Sequence, residues 1–330
     1  MSAAPIFRLT GAVALTSALL LSACGSDNSS NTSSGAATTT ASAATTAGAT
    51  TTAAGAATTA GAATTAGGTA SRGVTCATAT AGGGLEKLCK ADKLVVGVKF
   101  DQPLFGLKDP TSGKVEGFDV EIAKLIAKAL GKDESKIDFQ ETVSKVREDV
   151  IVNGQRDYVV ATYTINADRK TKVGFAGPYY VAGQDVMVKK GDTSITGKES
   201  LDGKKVCTAV GSTPEKRLRE ETKAEVVTFE KYSECAEALR DGRVDAVSTD
   251  NVILLGLIQQ SDDAFELVGK PFSSEPYGIG VKLEDKELRG FVNDVLEQSY
   301  ADGTWKSAYE ATIGTVDDAT PEPPAVDRYS

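Results

Sequence analysis

The segment from Gly117 to Gly131, GFDVEIAKLIAKALG, is the feature that most constrains the fold. Its apolar side chains recur at helical spacing, which predicts a helix with one buried face. We expect that face to comprise Ile122, Leu125, Ile126 and Ala129. Asp119 and Glu121 lie in the first turn, where the helix dipole favours acids. Gly131 follows the last apolar residue and suits a left-handed cap, so the helix has a defined beginning and end.

Around this helix, short apolar runs alternate with further helical patterns from about residue 85 to residue 312. The predicted strands are residues 93–98, 137–140, 157–161, 185–188, 204–210, 226–229, 244–248, 265–268 and 277–281. Strands that alternate with helices indicate the α/β class with a largely parallel sheet. The Pro- and Asp-rich residues 315–330 are expected to form a loose tail.

Composition excludes several classes of protein. The 330 residues include 45 acidic and 36 basic side chains, which gives a formal charge of -9. The chain therefore lacks the excess of basic residues that is typical of proteins that bind nucleic acids. It contains no histidine. This excludes Ser-His and Cys-His nucleophile pairs and the usual zinc sites, which need an imidazole. We expect no metal and no cofactor.

The N-terminus has the pattern of an export signal. Arg8 precedes an apolar run from Gly11 to Leu21, which is too short to span a membrane and typical of a secretory signal. The run ends in LSACG, which resembles the lipobox of bacterial lipoproteins. Residues 1–23 are then the signal peptide, and Cys24 is acylated, for example by palmitate. The alternative is an ordinary signal peptide with an incidental cysteine.

Residues 24–73 are almost entirely Ala, Thr, Gly and Ser. Such a tract cannot bury a core and is expected to be a disordered tether. Its root-mean-square reach is roughly 35–40 Å, enough to hold a domain away from a membrane surface.

Four further cysteines, Cys76, Cys89, Cys207 and Cys235, suggest disulfide bonds in an exported chain. Three pairings are possible. We favour Cys76–Cys89 and Cys207–Cys235, because each closes a local loop within one domain. Free buried thiols are the alternative.

Several ordered motifs resemble the polar amino-acid binding proteins of ABC importers. They are the opening helix, DYVVATYTINADR (157–169), FAGPYY (175–180) and ADGTW (301–305). The resemblance covers about residues 90–312. It implies a periplasmic-binding-protein type II fold, with two α/β lobes, a two-strand hinge and a ligand between the lobes. Lobe 1 would comprise residues 74–182 and 276–314, and lobe 2 residues 183–275.

The resemblance also implies which residues bind the backbone of an amino acid. Arg169 would hold the α-carboxylate, which a guanidinium can bind bidentately. Thr164 would add a hydroxyl and a backbone N–H. The alternative for Arg169 is a surface arginine paired with Asp168.

Residues of the second lobe complete this part of the site. Ser212 and Thr213 lie at a helix N-terminus, which attracts an anion, although plain helix capping is the alternative. Asp250 matches the family's acid for the α-ammonium, and an N-cap aspartate is its alternative reading.

Side-chain specificity depends on Arg147 and Lys99. The position of Arg147 matches an arginine in members that bind acidic amino acids, and Lys99 is a second candidate cation; an exposed helix ion pair is the alternative for Arg147. A neutral amide would not need both, so glutamate is favoured over glutamine and aspartate. Phe100 could supply one ring of an aromatic clamp. Thr162, a further candidate contact, stands where a glycine is frequent.

The implied function is capture of an acidic amino acid by a monomeric lipoprotein on the outer face of the membrane. Its partners would be the permease and ATPase of an ABC importer. The first alternative is an amino-acid sensor subunit for a separate receptor. The second is a dehydratase, since some relatives of this fold are enzymes. Asp250, Glu275 or Asp101 could then act as acid and base, but no matched pair supports this, and we expect no catalysis.

Overall fold

The computed structural model describes residues 73–317 and 319–329. The predicted signal peptide, Cys24 and residues 24–72 of the predicted tether lie outside these ranges. Within them the strands are β1 (Leu94–Val98), β2 (Asp101–Gln102), β3 (Gly106–Lys108), β4 (Val115–Glu116), β5 (Ile137–Glu141), β6 (Tyr158–Val159), β7 (Val173–Ala182), β8 (Gln184–Lys189), β9 (Lys205–Ala209), β10 (Glu225–Phe229), β11 (Ala246–Asp250), β12 (Phe265–Leu267) and β13 (Glu275–Lys282). The helices are α1 (Gly84–Lys90), α2 (Phe118–Ala129), α3 (Arg147–Val152), α4 (Ala167–Lys170), α5 (Thr213–Glu221), α6 (Tyr232–Arg240), α7 (Asn251–Gln259), α8 (Lys286–Ala301) and α9 (Thr304–Ala311).

Ten of the described strands form two five-stranded sheets of the same design, and β2, β3 and β4 form a small three-stranded sheet. The first has the order β5-β1-β6-β13-β7 and the second β10-β9-β11-β8-β12. In each sheet four strands run in the same direction, and one strand, β13 in the first sheet and β8 in the second, runs antiparallel to its neighbours. The chain passes from the first sheet to the second at Gly183 and returns before Glu275. The protein therefore has two α/β lobes joined by two crossing segments. Lobe 1 and lobe 2 denote the first and second sheet with their helices.

Apolar clusters cover both faces of each sheet. In lobe 1 one cluster includes side chains of α1, α2, α8 and α9, and the other includes α3. In lobe 2 one cluster includes α6 and α7, and the other includes α5. Burial on both faces explains why the central strands are near-continuous apolar runs rather than alternating ones.

Helix α2 begins and ends close to the predicted positions. Gly131 has a φ of +76°, the left-handed conformation expected of a glycine after the helix. The prediction of which side of the helix is buried is wrong for two of its four residues. Ile122 and Ile126 are buried, but Leu125 is only partly buried and Ala129 is exposed. The helix instead faces the core with Phe118, Ile122, Ala123, Ile126 and Ala127, because aromatic residues of β7 and α9 surround Phe118.

The C-terminal residues also differ from expectation. Residues 319–329, expected to be loose, lie along lobe 1. The Tyr329 hydroxyl accepts a hydrogen bond from the Phe175 amide at 2.7 Å. The Asp327 amide donates to the Gly177 carbonyl at 2.8 Å. The tail thus covers the outer edge of β7, the last strand of the first sheet.

Both favoured disulfides are present. Cys76–Cys89 ties the first described residues to α1, and Cys207–Cys235 joins β9 to α6. No helix among the described residues is long and apolar enough to cross a membrane.

Replacing Cys207 and Cys235 together by alanine should destabilise the chain by about 3–4 kcal/mol in the chain-entropy account of disulfides. The bond spans 28 residues, against 13 for Cys76–Cys89, so it restricts the unfolded chain more. Urea denaturation of the variant and of the matched double variant of Cys76 and Cys89 measures both effects. Unchanged midpoints, or four free thiols in non-reducing mass spectrometry, would contradict the prediction.

Candidate ligand site between the lobes

The predicted site residues lie where parallel strands end. Lys99 follows β1, Thr162 and Thr164 follow β6, Ser212 follows β9, and Asp250 is the last residue of β11. In open α/β sheets, ligands bind outside the carboxyl ends of the strands. Here those ends belong to two sheets, and the structure brings them together. Several direct contacts join the lobes at this point, and two of them involve Arg169 and the two threonines.

In the first contact, the hydroxyls of Thr164 and Thr213 are 3.3 Å apart. In the second, Nη2 of Arg169 donates to the Gly211 carbonyl at 3.2 Å. Arg169 also donates from Nη1 to the Thr164 carbonyl at 2.8 Å. The structure therefore brings Arg169, Thr164 and Thr213 together on one interface between the lobes.

Arg169 is not a surface arginine. Only 7% of its surface is exposed. Its Nε lies 3.3 Å from a Glu148 carboxylate oxygen. Asp168 instead pairs with Lys216 of lobe 2 at 2.9 Å. Burial, and next the nearby charge of Arg147, lower the pKa of Arg169 to about 10, so it stays charged at neutral pH.

Arg147 is buried beside Arg169, so the alternative of an exposed helix partner is wrong. Its Nη1 donates to the Ala161 and Thr162 carbonyls at 2.9 and 3.2 Å, and Nε donates to the Ser144 carbonyl at 3.2 Å. The Arg147 and Arg169 guanidinium carbons lie 4.3 and 5.0 Å from the centroid of the Tyr163 ring. One aromatic ring thus supports two cations.

Lys99 is the third buried cation, and its Nζ donates to the Ser144 hydroxyl at 2.9 Å. Burial, and next the charge of Arg147, lower the pKa of Lys99 to about 7. Among the described residues, neither Lys99 nor Arg147 has a carboxylate oxygen within 4.0 Å, the limit for a salt bridge. Buried charges without a partner are costly, so these two cations can be stabilised by an added anion.

Asp250 supplies negative charge from lobe 2. Its side chain is buried, and Oδ2 accepts a 2.5 Å hydrogen bond from the Tyr277 hydroxyl, whereas Oδ1 has no partner among the described residues. It occupies the N-cap position of α7 but makes no side-chain cap bond, so the plain capping reading is wrong. Burial, and next the charge of Glu275, raise the pKa of Asp250 to about 7.

The N-terminus of α5 has fewer hydrogen-bond donors available to an anion than the sequence analysis predicts. The Ser212 hydroxyl accepts from the Glu215 amide at 3.0 Å, which is ordinary capping. The Thr213 hydroxyl donates to a Glu275 carboxylate oxygen at 2.8 Å. Pro214 has no N–H. An anion at this helix end would therefore meet the Thr213 amide and the Ser212 hydroxyl proton, whereas the Thr213 hydroxyl proton is already donated to Glu275.

Thr162 and Phe100 fit the predicted roles least well. The Thr162 amide donates to Asp119 at 2.8 Å and its hydroxyl to Gln102 at 2.9 Å. Its φ of +44° is left-handed, which accounts for the frequent glycine at this position. Phe100 packs against the lobe 1 core, and Lys108 Nζ lies 4.9 Å from its ring centroid.

Sequence reasoning missed several residues of this region. Asp119 was assigned to the helix dipole, yet its carboxylate also accepts a 2.5 Å bond from the Tyr179 hydroxyl, and burial raises its pKa to about 6. Tyr163 could have been noticed because it lies between Thr162 and Thr164. Ser144 and Tyr277 gave no local signal. Two of the three acids considered for a dehydratase are engaged elsewhere: Glu275 pairs with Arg217 at 2.8 Å, and Asp101 accepts from the Tyr232 amide at 2.8 Å.

Ion pairs at the rim also connect the two lobes. Lys231 contacts Glu141 at 2.6 Å, and Lys145 contacts Glu230. Beside them the backbones approach closely: a Cβ on Gly211 would lie 2.6 Å from the Lys145 Cα. The lobes are thus in the closed arrangement, and Gly211 is a position where only glycine fits.

Comparison with known proteins agrees with this architecture. Residues 94–315 match the family model of bacterial extracellular solute-binding proteins, family 3. The chain belongs to this family. It is 45% identical over 224 residues to the ABC transporter glutamine-binding protein GlnH of Bacillus subtilis, covering 67% of this chain and 81% of that protein. It is 37% identical over 261 residues to the glutamate-binding protein GluB of Corynebacterium glutamicum, covering 74% and 88%.

Among solved structures, an ancestral arginine-binding protein bound to glutamine is 39% identical with a TM-score of 0.63, over 68% of this chain and 99% of that one. The fold is therefore the type II periplasmic-binding-protein fold. GlnH and GluB are both binding proteins rather than enzymes.

Changing Gly211→Ala should keep the lobes from closing, because the added methyl group would meet the Lys145 backbone. Small-angle X-ray scattering should show a larger radius of gyration for the variant when solute is present. Gly203→Ala is the matched control: Gly203 has a similar φ of +72°, but a Cβ there would contact nothing within 4 Å. Equal scattering of both variants would contradict a steric role for this contact.

Proposed function

We propose that this protein captures an amino acid between its lobes, with glutamate preferred, and delivers it to an ABC importer. The observation that supports the preference is the pair of buried cations, Lys99 and Arg147, with no carboxylate at ion-pair distance among the described residues. A ligand with a second carboxylate neutralises them. Opposite them, Asp250 has a free carboxylate oxygen that can accept from an ammonium group.

In this proposal Arg169 binds the α-carboxylate. Its Nη2 donates to a ligand oxygen in place of the Gly211 carbonyl. The Thr213 amide and Thr164 add further hydrogen bonds. Asp250 binds the α-ammonium. Lys99 and Arg147 bind the γ-carboxylate, with Ser144 fixing both of them. Charge-assisted bonds of this kind are about twice as strong as neutral ones.

The names of the relatives support an amino acid as the solute, since GlnH is a glutamine-binding and GluB a glutamate-binding protein. Glutamine would satisfy Arg169 and Asp250 equally well. It would leave Lys99 and Arg147 without an anion, which is why we place glutamate first. The signal peptide and acylated Cys24 then make the protein a monomeric lipoprotein on the outer face of the membrane.

Isothermal titration against the twenty amino acids tests the proposal, and glutamate should bind most tightly. Arg147→Ala should weaken glutamate binding about 30-fold or more, the cost of removing one partner of a buried charge pair. Glutamine binding should change much less, because an amide does not need the second charge.

Arg243→Ala is the matched control, since Arg243 is an exposed arginine of lobe 2 paired with Asp241. Affinities no tighter than about millimolar for every amino acid would refute the function. Equal losses for glutamate and glutamine in Arg147→Ala would refute only the specificity role.

Glutamate affinity should be greatest near neutral pH and fall on both sides. Asp250, with a pKa of about 7, must lose a proton to bind the ammonium, so affinity falls as pH decreases below that value. Lys99, also with a pKa of about 7, must be protonated to bind the carboxylate, so affinity falls as pH increases above it. Each limb has a limiting slope of about tenfold per pH unit.

Titrations between about pH 5.5 and pH 8.5 measure both limbs, a range that spans these pKa values. Lys99→Met keeps the length of the side chain and should remove the alkaline limb alone. Glutamine binding by the unchanged chain should show only the acid limb. A glutamate affinity that is flat across this range would exclude Lys99 and Asp250 as ligand contacts.

A further inference from the structure

The C-terminal tail lies outside the residues that match the family, which end at Thr315. It nevertheless contacts the part of lobe 1 that holds the site. Besides covering the edge of β7, it reaches α4, the helix that contains Arg169. Asp327 pairs with Lys170 at 2.8 Å. The Lys170 ammonium also lies 3.9 Å from the centroid of the Tyr329 ring.

Helix α4 needs such support. It comprises four residues, Ala167–Lys170, and a helix this short has little stability of its own. Asn166 caps its beginning by accepting from the Arg169 amide at 2.9 Å. Lys170 is its last residue and the direct neighbour of Arg169. The tail therefore fixes the end of the helix next to the guanidinium-bearing residue.

A second route connects the tail to the same guanidinium. Tyr329 packs against the apolar cluster that contains Phe175 and Tyr163. The Phe175 and Tyr163 ring centroids are 4.7 Å apart, and Tyr163 supports the guanidinium groups of Arg147 and Arg169. The position of the Tyr163 ring, which contacts both guanidinium groups, thus depends in part on the packing of Tyr329 against this cluster.

Tyr329 is itself firmly held. The Arg289 guanidinium carbon lies 4.2 Å from its ring centroid, and Nη2 of Arg289 donates to the Tyr329 carbonyl at 2.9 Å. With the Lys170 ammonium, two cations from separate helices contact one ring. Cation–π contacts from two side chains are attractive, so they hold the ring of Tyr329 in a specific place on lobe 1.

We propose that Asp327 and Tyr329 are positioning residues for solute binding, which hold α4 and Tyr163 so that Arg169 is oriented toward the solute carboxylate. Bidentate recognition requires a fixed guanidinium plane, and affinity falls when its orientation must be ordered on binding. This inference depends on the proposed function, because it assumes that Arg169 contacts the solute.

The chain contains a matched control within the tail. Arg328 lies between the two proposed residues but contacts α8, where it pairs with Asp294 at 2.5 Å and Glu297 at 2.8 Å. It does not contact α4 in the described structure. Removing it weakens the tail without removing either contact to Lys170.

The test is titration of the whole chain with glutamate after the double change Asp327→Ala and Tyr329→Ala. Affinity should fall about tenfold, within the usual range for residues coupled to a site they do not contact. Arg328→Ala should change it by less than about threefold. In an Arg169→Lys background, the double change should cause little further loss, because two changes that act through one group are not additive.

Nuclear magnetic resonance of the Arg169 Nε–Hε group gives a readout that does not depend on solute. Its signal should shift or broaden in the double variant and remain in place in Arg328→Ala. The milder variants Asp327→Asn and Tyr329→Phe, which keep the shape of each side chain, should give smaller effects in the same direction. They keep the test decisive if the double variant does not fold.

Failure of the inference and of the function are distinguishable. If the unchanged chain binds no amino acid, the proposed function is wrong, whereas the Arg169 signal still reports on the tail. If the chain binds glutamate and the double variant binds it equally well with an unchanged Arg169 signal, the positioning role is overturned. Equal losses in the double variant and Arg328→Ala would reduce the tail to general stabilisation and also overturn it.

Discussion

Two guanidinium groups on one tyrosine ring are the arrangement on which the rest of the cleft depends. Arg147 and Arg169 both contact Tyr163, and each donates to carbonyls of the segment after β6. The segment therefore follows a path fixed by the cations, including the left-handed Thr162. Backbone carbonyls already accept part of the hydrogen bonds of each guanidinium, and Glu148 lies 3.3 Å from Arg169, so both cations can be buried. The guanidinium N–H groups that the protein leaves free can donate hydrogen bonds to a solute.

The two lobes are complementary in charge. Lys99 and Arg147, which have no carboxylate at ion-pair distance among the described residues, belong to lobe 1, whereas Asp250 belongs to lobe 2. Glu275, at the start of β13 where the chain returns to lobe 1, bonds both Thr213 and Arg217 of α5. The crossing segment is therefore connected directly to the helix end that faces Arg169. A change at the site and a change in the angle between the lobes involve the same hydrogen bonds.

Local patterns predicted what depends on neighbours in sequence, including the α/β class and the cap at Gly131, whereas the role of Arg169 was implied only by the family resemblance. They did not predict contacts between distant residues. Asp119 bonds Thr162 and Tyr179, which are 43 and 60 residues away. The tail residue Tyr329 bonds Phe175, which is 154 residues away. Hydrophobic periodicity indicates which face is buried, but not which polar group meets a buried carboxylate. Leu125 and Ala129 show that even the phase of a face depends on what packs against it.

The ionisation of the site links occupancy to closure in the proposed function. Burial and neighbouring charges bring the pKa values of both Lys99 and Asp250 to about 7 in the closed arrangement. Closing the lobes therefore disfavours charge that both groups would keep in water. In the proposed function, a zwitterion with a second carboxylate would restore both charges, because each would then have an opposite partner. Glutamate would therefore favour closing more than a solute with one carboxylate, and closing would let an importer distinguish a loaded protein from an empty one.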